Sequence, residues 1–565
     1  MEKSLRPGHQ SAFLPLTILI LFHIINNYIW LTKNSVLGFG DTSLHLYNSL
    51  SFFEYLKSGE GNFFSKLFHL FNGNNIIYRF WPPFVYLVSA GLRFVFGNSV
   101  LAVKLSTSSL YFIILILSVY FLGYYYRNQR TGILSSFLVS MYVGIFGISR
   151  EYFLDFPLVA MVSLCMLFLL KSDKFKNRLY SLIFGLCFGI GLLTKTQVIF
   201  FILPVAIYFL VVQIEKNSKE KVKNFLFALS SALMVTSIWF YGFWAYKPDK
   251  WSVKNAFLSS FFSTMQGKAV NYTLAKEFFP VVAEGSFIPK ISNLSNWAYY
   301  FEAVFLYVTP LLALVFIFST YLLYKSKKLE KELFIWIIFP YFIFSLLSPK
   351  DARYFFPVFP AIALLTALGI EELKNRIFKN IALVLLFTFG ITNYYAYSYL
   401  GCDLFIKYRL ETKQSLFYIR PPFKNNYYSV VIKFLKEIEK RGDLSQTNIG
   451  LISPGGEFDL KGETSIVTYY LASYKPAFSW SNSTKAGFFN GYKKYNYLIV
   501  ISDPVVFKPD FRQLLAKNGS LNTGNKLTTK EKADDAIKYF ETFKIIKRDI
   551  LQGFDKKDIF LISKD

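Results

Sequence analysis

Two carboxylates and a few isolated cations are the residues of this chain best placed to do chemistry. Asp41 stands in the run Gly38-Phe39-Gly40-Asp41-Thr42, just after a long apolar segment. Asp155 stands in Ser149-Arg150-Glu151-Tyr152-Phe153-Leu154-Asp155-Phe156-Pro157, just before another. A carboxylate in a partly dehydrated pocket is a competent general base toward a hydroxyl or an amine. The plainer alternative is that acids at helix ends cap or are solvated, and Asp155-Phe156-Pro157 has the look of a helix start. Lys195 follows Gly191-Leu192-Leu193-Thr194 between two apolar runs with no other charge nearby. A charge there is costly, so it reads as functional unless it snorkels to the headgroups. Arg353 and Tyr354, in Lys350-Asp351-Ala352-Arg353-Tyr354-Phe355, open a further apolar run. Arg79 and Arg150 are cations of the same kind, and Lys350 and Arg353 have the alternative of simple interfacial anchoring. Cations beside carboxylates suit an anionic phosphate, which Arg grips through two N–H groups.

The elements that must position these groups are membrane helices. The chain has 565 residues, is 53% hydrophobic and 20% aromatic, and carries 64 Phe and 39 Tyr. The apolar residues fall in runs of bilayer-crossing length. A net charge of +26 would suggest nucleic acid in a soluble protein. Here the Lys and Arg residues up to about residue 380 flank apolar runs, which favours a membrane and no nucleic acid. The sequence predicts about eleven spans: 12–32, 99–122, 132–149, 156–171, 179–194, 197–214, 224–244, 299–324, 333–348, 355–371 and 380–399. The apolar stretch after Lys3 and Arg6 is too long for a signal-peptide core and has no small-residue cleavage site, so it reads as an uncleaved first span. Lys3 and Arg6, Arg127 and Arg130, Lys171 to Arg178, Lys216 to Lys223, Lys325 to Lys331, and Lys374 to Lys379 all fall on one side if the crossings alternate. The positive-inside rule makes that side the cytoplasm. The expected setting is a multi-pass protein of the cytoplasmic (inner) membrane, with its N-terminus inside.

The carboxylates, Lys195 and Arg353 then collect at the outer face. The first outer loop repeats Leu46, Leu50, Phe53 and Leu56, and then Phe63, Phe64, Leu67, Phe68 and Phe71, at helical spacing. These predict helices lying in the interface plane, and Trp81-Pro82-Pro83 breaks the pattern before the second span. After residue 400 the long apolar runs stop. Short β-like runs such as Tyr497–Ile501 and Ile559–Ile562 alternate with amphipathic stretches such as Val430–Lys436. The fold class is therefore a membrane, mostly α domain over 1–399, with a soluble, extracytoplasmic α/β domain over 400–565 and a linker near Pro421-Pro422.

Other chemistries find little support. Cys165 and Cys187 lie in apolar runs and read as small core residues; with Cys402 they have no metal-like spacing. His45, four residues past Asp41, shares its helix face and is a substrate-contact candidate with Tyr354 and Glu151, although Glu151 also reads as plain loop charge. No His/Cys cluster supports zinc. A divalent ion between Asp41 and Asp155 is an open alternative, although two acids make a thin site; no cofactor is expected. No phosphate-binding Gly-rich loop or nucleophile elbow appears in a strand–helix context. An activated donor must therefore arrive from the membrane.

Ordered along the chain, these motifs resemble the GT-C membrane glycosyltransferases, in particular the bacterial branch of protein O-mannosyltransferases and the lipid A aminoarabinose transferase. The resemblance rests on Asp41 after the first span, Trp81-Pro82-Pro83-Phe84-Val85-Tyr86-Leu87, Leu154-Asp155-Phe156-Pro157-Leu158, Gly191-Leu192-Leu193-Thr194-Lys195 and Arg353-Tyr354-Phe355-Phe356-Pro357-Val358-Phe359-Pro360. Relatives often have Asp-Glu in the first loop, where this chain has Asp41-Thr42. The resemblance implies an inverting transfer of a hexosyl or pentosyl group from a polyprenyl-phosphate-linked sugar to a glycolipid, polysaccharide or protein. Asp41 would be the base, with Asp155 orienting the acceptor or Asp41. Lys195, Arg353, Arg79 and Arg150 would face the donor phosphate. Competing readings are a transporter or flippase of lipid-linked sugars, and an O-antigen ligase or polymerase. The first expects charges at mid-membrane and repeated halves; the second expects essential paired arginines and a dispensable Asp41.

Overall fold

The computed structural model describes residues 10–34, 41–58, 61–72, 81–211, 218–245, 294–346 and 350–400, and, of the C-terminal part, 434, 437, 438, 440 and five strands. The chain divides into two compact units, residues 1–29 with 48–421, and residues 30–47 with 422–565. Trp30–Tyr47 groups with the C-terminal residues.

Every apolar run predicted to span is helical among the described residues. The helices are α1 (Gln10–Lys33), α2 (Thr42–Lys57), α3 (Phe63–Asn72), α4 (Phe84–Phe96), α5 (Val100–Tyr126), α6 (Gln129–Met141), α7 (Val143–Ser149), α8 (Asp155–Lys171), α9 (Arg178–Thr194), α10 (Val198–Val211) and α11 (Ser218–Ala245). They continue as α12 (Leu294–Tyr307), α13 (Pro310–Lys325), α14 (Lys331–Leu346), a 3-10 segment (Ala352–Val358), α15 (Phe359–Glu371) and α16 (Arg376–Tyr395). Side-chain caps fix several starts: Ser99 accepts from the Ala102 N–H, Asn128 from Thr131, Asn177 from Tyr180, and Asn375 from Ile377 and Phe378. Each supplies an acceptor to an N–H that the first helical turn leaves without one.

The chain is a multi-pass membrane protein, and its count of crossings is set by helix length. Among the described residues, five helices are long and apolar enough to cross alone, or up to seven if each bent pair is one span. The eleven predicted spans include α8, α9, α10 and α14, which at 14 to 17 residues are shorter than the roughly 20 a full crossing takes. Two predicted spans are also broken. The 132–149 run bends by 64° between α6 and α7. The 299–324 run bends by 109° between α12 and α13, where Thr309 adopts φ 82° and Pro310 starts the next helix. A residue before proline is pushed out of helical geometry.

Burial separates the helices into a centre and a rim. α15 is buried on every side, and α8 nearly so, as expected of apolar helices at the core of a bundle. In contrast α1 exposes Phe13, Leu14, Ile18 and Ile25, and α16 exposes Ile377, Phe378, Val384 and Leu385, faces suited to lipid. α3 exposes Phe63, Phe64 and Phe68 while Lys66 turns back to the Leu56 and Ser58 carbonyls, in keeping with a helix lying in the interface.

Charges from several predicted loops converge. Arg127 and Lys328 both pair with Glu372, Lys379 pairs with Glu371, and Tyr126 donates to Glu332. The ends of α5, α13, α15 and the starts of α14 and α16 therefore meet at one end of the bundle.

The second unit contains a mixed five-stranded sheet: β1 (Asn448–Ile452), β2 (Ser479–Asn482), β3 (Tyr497–Ser502), β4 (Lys544–Leu551) and β5 (Lys557–Ser563), in the order β2-β1-β3-β5-β4. β1 runs parallel to β2 and β3, whereas β5 runs antiparallel to β3 and β4. The amphipathic stretch predicted over 430–436 lies largely outside the described residues.

Close helix contact makes a stability test. A Cβ at Gly185 of α9 would run into the Ala228 carbonyl oxygen of α11, so backbone and not only a flexible side chain must yield. Gly185→Ala is expected to lower the unfolding temperature in detergent, by an overpacking penalty of roughly 1–3 kcal/mol. Unchanged melting would mean that α9 and α11 do not pack this closely.

Candidate active site

The site is built where α8 begins and α9 ends. Leu154 is the N-cap residue of α8 and makes no side-chain cap, so Asp155 is the first helical residue and its carboxylate is not used on its own helix. Instead Lys195 Nζ donates to Asp155 Oδ1 at 2.6 Å. Lys195 terminates α9, its backbone N–H bonding the Gly191 carbonyl. A carboxylate at a helix N-terminus and an ammonium at a helix C-terminus both complement the helix dipoles. Both side chains are buried, at 6% and 2% exposure for Lys195 and Asp155. An isolated charge would not survive there; the pair does because each ion replaces the other's lost water.

Two more residues extend the pair into a cluster. Arg353 Nη1 is 4.0 Å from Asp155 Oδ2, and Arg353 Nε is 2.8 Å from Asp351 Oδ2. The second contact is an ion pair by proximity, with the Nε–H not aligned on the carboxylate. Asp351 Oδ1 also accepts the Arg353 backbone N–H at 3.1 Å, capping the 3-10 segment. The cations lie against aromatic faces: Arg353 is 4.7 Å from the Phe153 ring centroid, and Lys195 and Arg353 are 5.2 and 5.6 Å from that of Tyr354. Cation–π contacts hold a cation without neutralising it. Burial pushes the Asp351 carboxyl above its ordinary range, against the opposing pull of Arg353 and its N–H. Neighbouring Lys350 donates to the Phe344 and Ser345 carbonyls at the end of α14, and burial pulls its ammonium down to about 8.

The sequence-predicted residues thus divide. Asp155, Lys195, Arg353 and Tyr354 come together. Arg150 and Glu151, expected as donor-phosphate and substrate ligands, make contacts with other helices. The Arg150 guanidinium donates to Asn27, Tyr394 and Ser398 at 3.1, 2.9 and 2.8 Å, tying α1 and the end of α16 to the 150–155 link. Glu151 forms a buried ion pair with Lys104 of α5 at 3.3 Å. Asp41 and His45 belong to the other unit; there the His45 N–H bonds the Asp41 carbonyl at 2.9 Å, so Asp41 starts α2 and the two sit one turn apart. Arg79 lies outside the described residues. No group of three or more His, Cys, Asp or Glu able to hold a metal occurs among the described residues.

Sequence reasoning missed Asp351 and Lys104. Both had a signal. Asp351 is the single acid between Glu332 and Glu371, and Lys104 the single charge within α5; a lone charge in apolar sequence needs a partner.

Comparison with known proteins identifies the class. Residues 81–241 match the family model of dolichyl-phosphate-mannose-protein mannosyltransferases. The structure is similar to that of ArnT from Cupriavidus metallidurans in the apo state, with a TM-score of 0.59 at 13% identity over 97% of both chains. It is equally similar to ArnT bound to undecaprenyl phosphate, with a TM-score of 0.58 at 13% identity over 97% of this chain and 98% of that one. Together these show that the chain has the fold of ArnT and that residues 81–241 are similar to the mannosyltransferase family. In sequence it is 23% identical over 383 residues to an uncharacterized protein of Aquifex aeolicus, a match covering 67% of this chain and 66% of that protein, just under two thirds of the relative's length.

Removal of one partner from the buried pair makes a second test. Lys195→Met leaves the Asp155 carboxylate with only Arg353, 4.0 Å away, and is expected to destabilise by up to roughly 3–5 kcal/mol. Adding Asp155→Leu should restore most of the loss of thermal stability. If the double variant melts as low as the single one, the two side chains are not energetically paired.

Proposed function

We propose that the protein is an inverting glycosyltransferase that moves a sugar from a polyprenyl-phosphate donor to a glycolipid, polysaccharide or protein acceptor. The observation that carries this reading is the buried cluster of Lys195, Arg353, Asp155 and Asp351 in a GT-C fold. Fixed cations in a low-dielectric pocket stabilise a phosphate that leaves with developing charge. Lys195 and Arg353 take that role, with Arg79 as a further donor-phosphate ligand. Asp155 positions Lys195 and Arg353, while Arg150 and Glu151 position the link that carries Asp155. Tyr354, its ring against both cations, and His45 contact substrate.

In this reading Asp41 is the base. It takes the proton of the acceptor hydroxyl or amine as that atom attacks the anomeric carbon from the face opposite the phosphate. The bond from the anomeric carbon to the phosphate oxygen breaks, the phosphate keeps the electron pair, and configuration inverts. One base suffices, whereas retaining enzymes need a second carboxylate as nucleophile. The proposed setting is the outer face of the cytoplasmic membrane, with the N-terminus inside and the C-terminal unit outside, which matches the charge distribution of the loops.

The test is a membrane assay with a labelled polyprenyl-phosphate sugar. Asp41→Asn should reduce transfer by about 10²–10⁴-fold while the protein still inserts and still binds polyprenyl phosphate. Full activity in that variant removes Asp41 as the base; absence of transfer by the wild-type chain from a panel of such donors removes the function.

A further inference from the structure

Charge bookkeeping within the cluster singles out Asp351. Two cations, Lys195 and Arg353, face two carboxylates, Asp155 and Asp351. The four groups are charge-balanced with no phosphate present. A phosphate entering beside them would meet carboxylates already holding its cations. One carboxylate must give way, and the geometry distinguishes them. Lys195 and Asp155 form the inner pair, with side chains 6% and 2% exposed. Arg353 and Asp351 form the outer pair, 14% and 20% exposed.

We propose that Asp351 is an exchangeable counter-ion, its Oδ2 occupying the place on Arg353 that a ligand phosphate takes. This rests on the polyprenyl-phosphate reading above and adds a specific means of regulating it. The two oxygens of Asp351 have separable tasks. Oδ1 accepts the Arg353 backbone N–H at 3.1 Å, which fixes the start of the 3-10 segment. Oδ2 faces the guanidinium and can leave it without undoing the cap. Asp155 lacks this freedom, because Oδ1 holds buried Lys195 at 2.6 Å and Oδ2 lies 4.0 Å from Arg353.

Displacement leaves the Asp351 carboxylate without its cation and beside an anion, so it takes up a proton. Its burial already pushes the carboxyl upward. The other groups coupled to it are Asp155 of α8, Lys195 between α9 and α10, Arg353, and the phenols of Tyr299 and Tyr300 on α12, with Lys350 adjacent in sequence. Binding of phosphate raises the Asp351 pKa further. Affinity therefore increases as pH falls through that range, by roughly tenfold for each unit by which binding raises the pKa.

The experiment measures binding of a long-chain polyprenyl methyl phosphodiester to the full-length protein in detergent as a function of pH. A diester carries one charge throughout, so its own titration does not enter. Wild type should bind more tightly toward acid pH. Asp351→Asn keeps a cap acceptor but has no charge; it should bind about as tightly at neutral pH as wild type does when acid, with the pH dependence abolished. Equal affinity and equal pH dependence in the two proteins would overturn the proposal, as would weaker binding by Asp351→Asn. A flat wild-type profile overturns it even if the variant fails to fold. Wild-type protein that binds no diester at any pH would instead remove the phosphate site itself.

Discussion

The buried ion pair between Asp155 and Lys195 is the constraint around which the membrane unit is organised. Neither ion is tolerable alone in an apolar interior. Their meeting obliges α8 to start where α9 ends, and places each charge at the helix terminus whose dipole favours it. Arg353 is then held by a second ion pair with Asp351 and by the rings of Phe153 and Tyr354. The result is a set of cations fixed before any ligand arrives, the condition under which electrostatic stabilisation of a leaving group is most effective.

The short link from Arg150 to Asp155 determines how firmly that pair is held. Successive side chains reach different helices: Arg150 reaches α1 and α16, Glu151 reaches α5, the Tyr152 hydroxyl reaches Ser89 of α4, Phe153 packs under Arg353, and Asp155 meets Lys195. A segment anchored at so many points has little freedom to move its terminal carboxylate. The charges of this link, Arg150 and Glu151, thereby help to hold Asp155 in position.

Much of the helical architecture was legible because a run of apolar residues in a membrane has few alternatives to a helix. Breaks were harder. Pro310 carried a signal for the bend after α12, since residues before proline avoid helical geometry, but the apolar pattern runs straight through it. The bend at Tyr142 has no comparable marker. Among the described residues, hydropathy marks more apolar helices than are long enough to cross alone, α9 and α10 being shorter than a typical full crossing. At the site, Asp155, Lys195 and Arg353 were legible as costly charges in apolar surroundings. Which charges pair was not, because Asp155 and Lys195 are forty positions apart and only the fold brings them together. Arg150 and Glu151 carried the same signal as Lys195, and their contacts with α1, α5 and α16 were likewise not legible from spacing. The first-loop acid, Asp41, remains a matter of resemblance and of the proposed chemistry.

The central claim is that Lys195 and Arg353 form the seat of a polyprenyl phosphate. An experimental structure of the protein with undecaprenyl phosphate bound tests it directly. The account predicts phosphate density within hydrogen-bonding distance of the Arg353 guanidinium and next to Lys195, with Asp351 Oδ2 withdrawn from Arg353. Phosphate density away from both cations, with the Arg353–Asp351 pair intact, would contradict it.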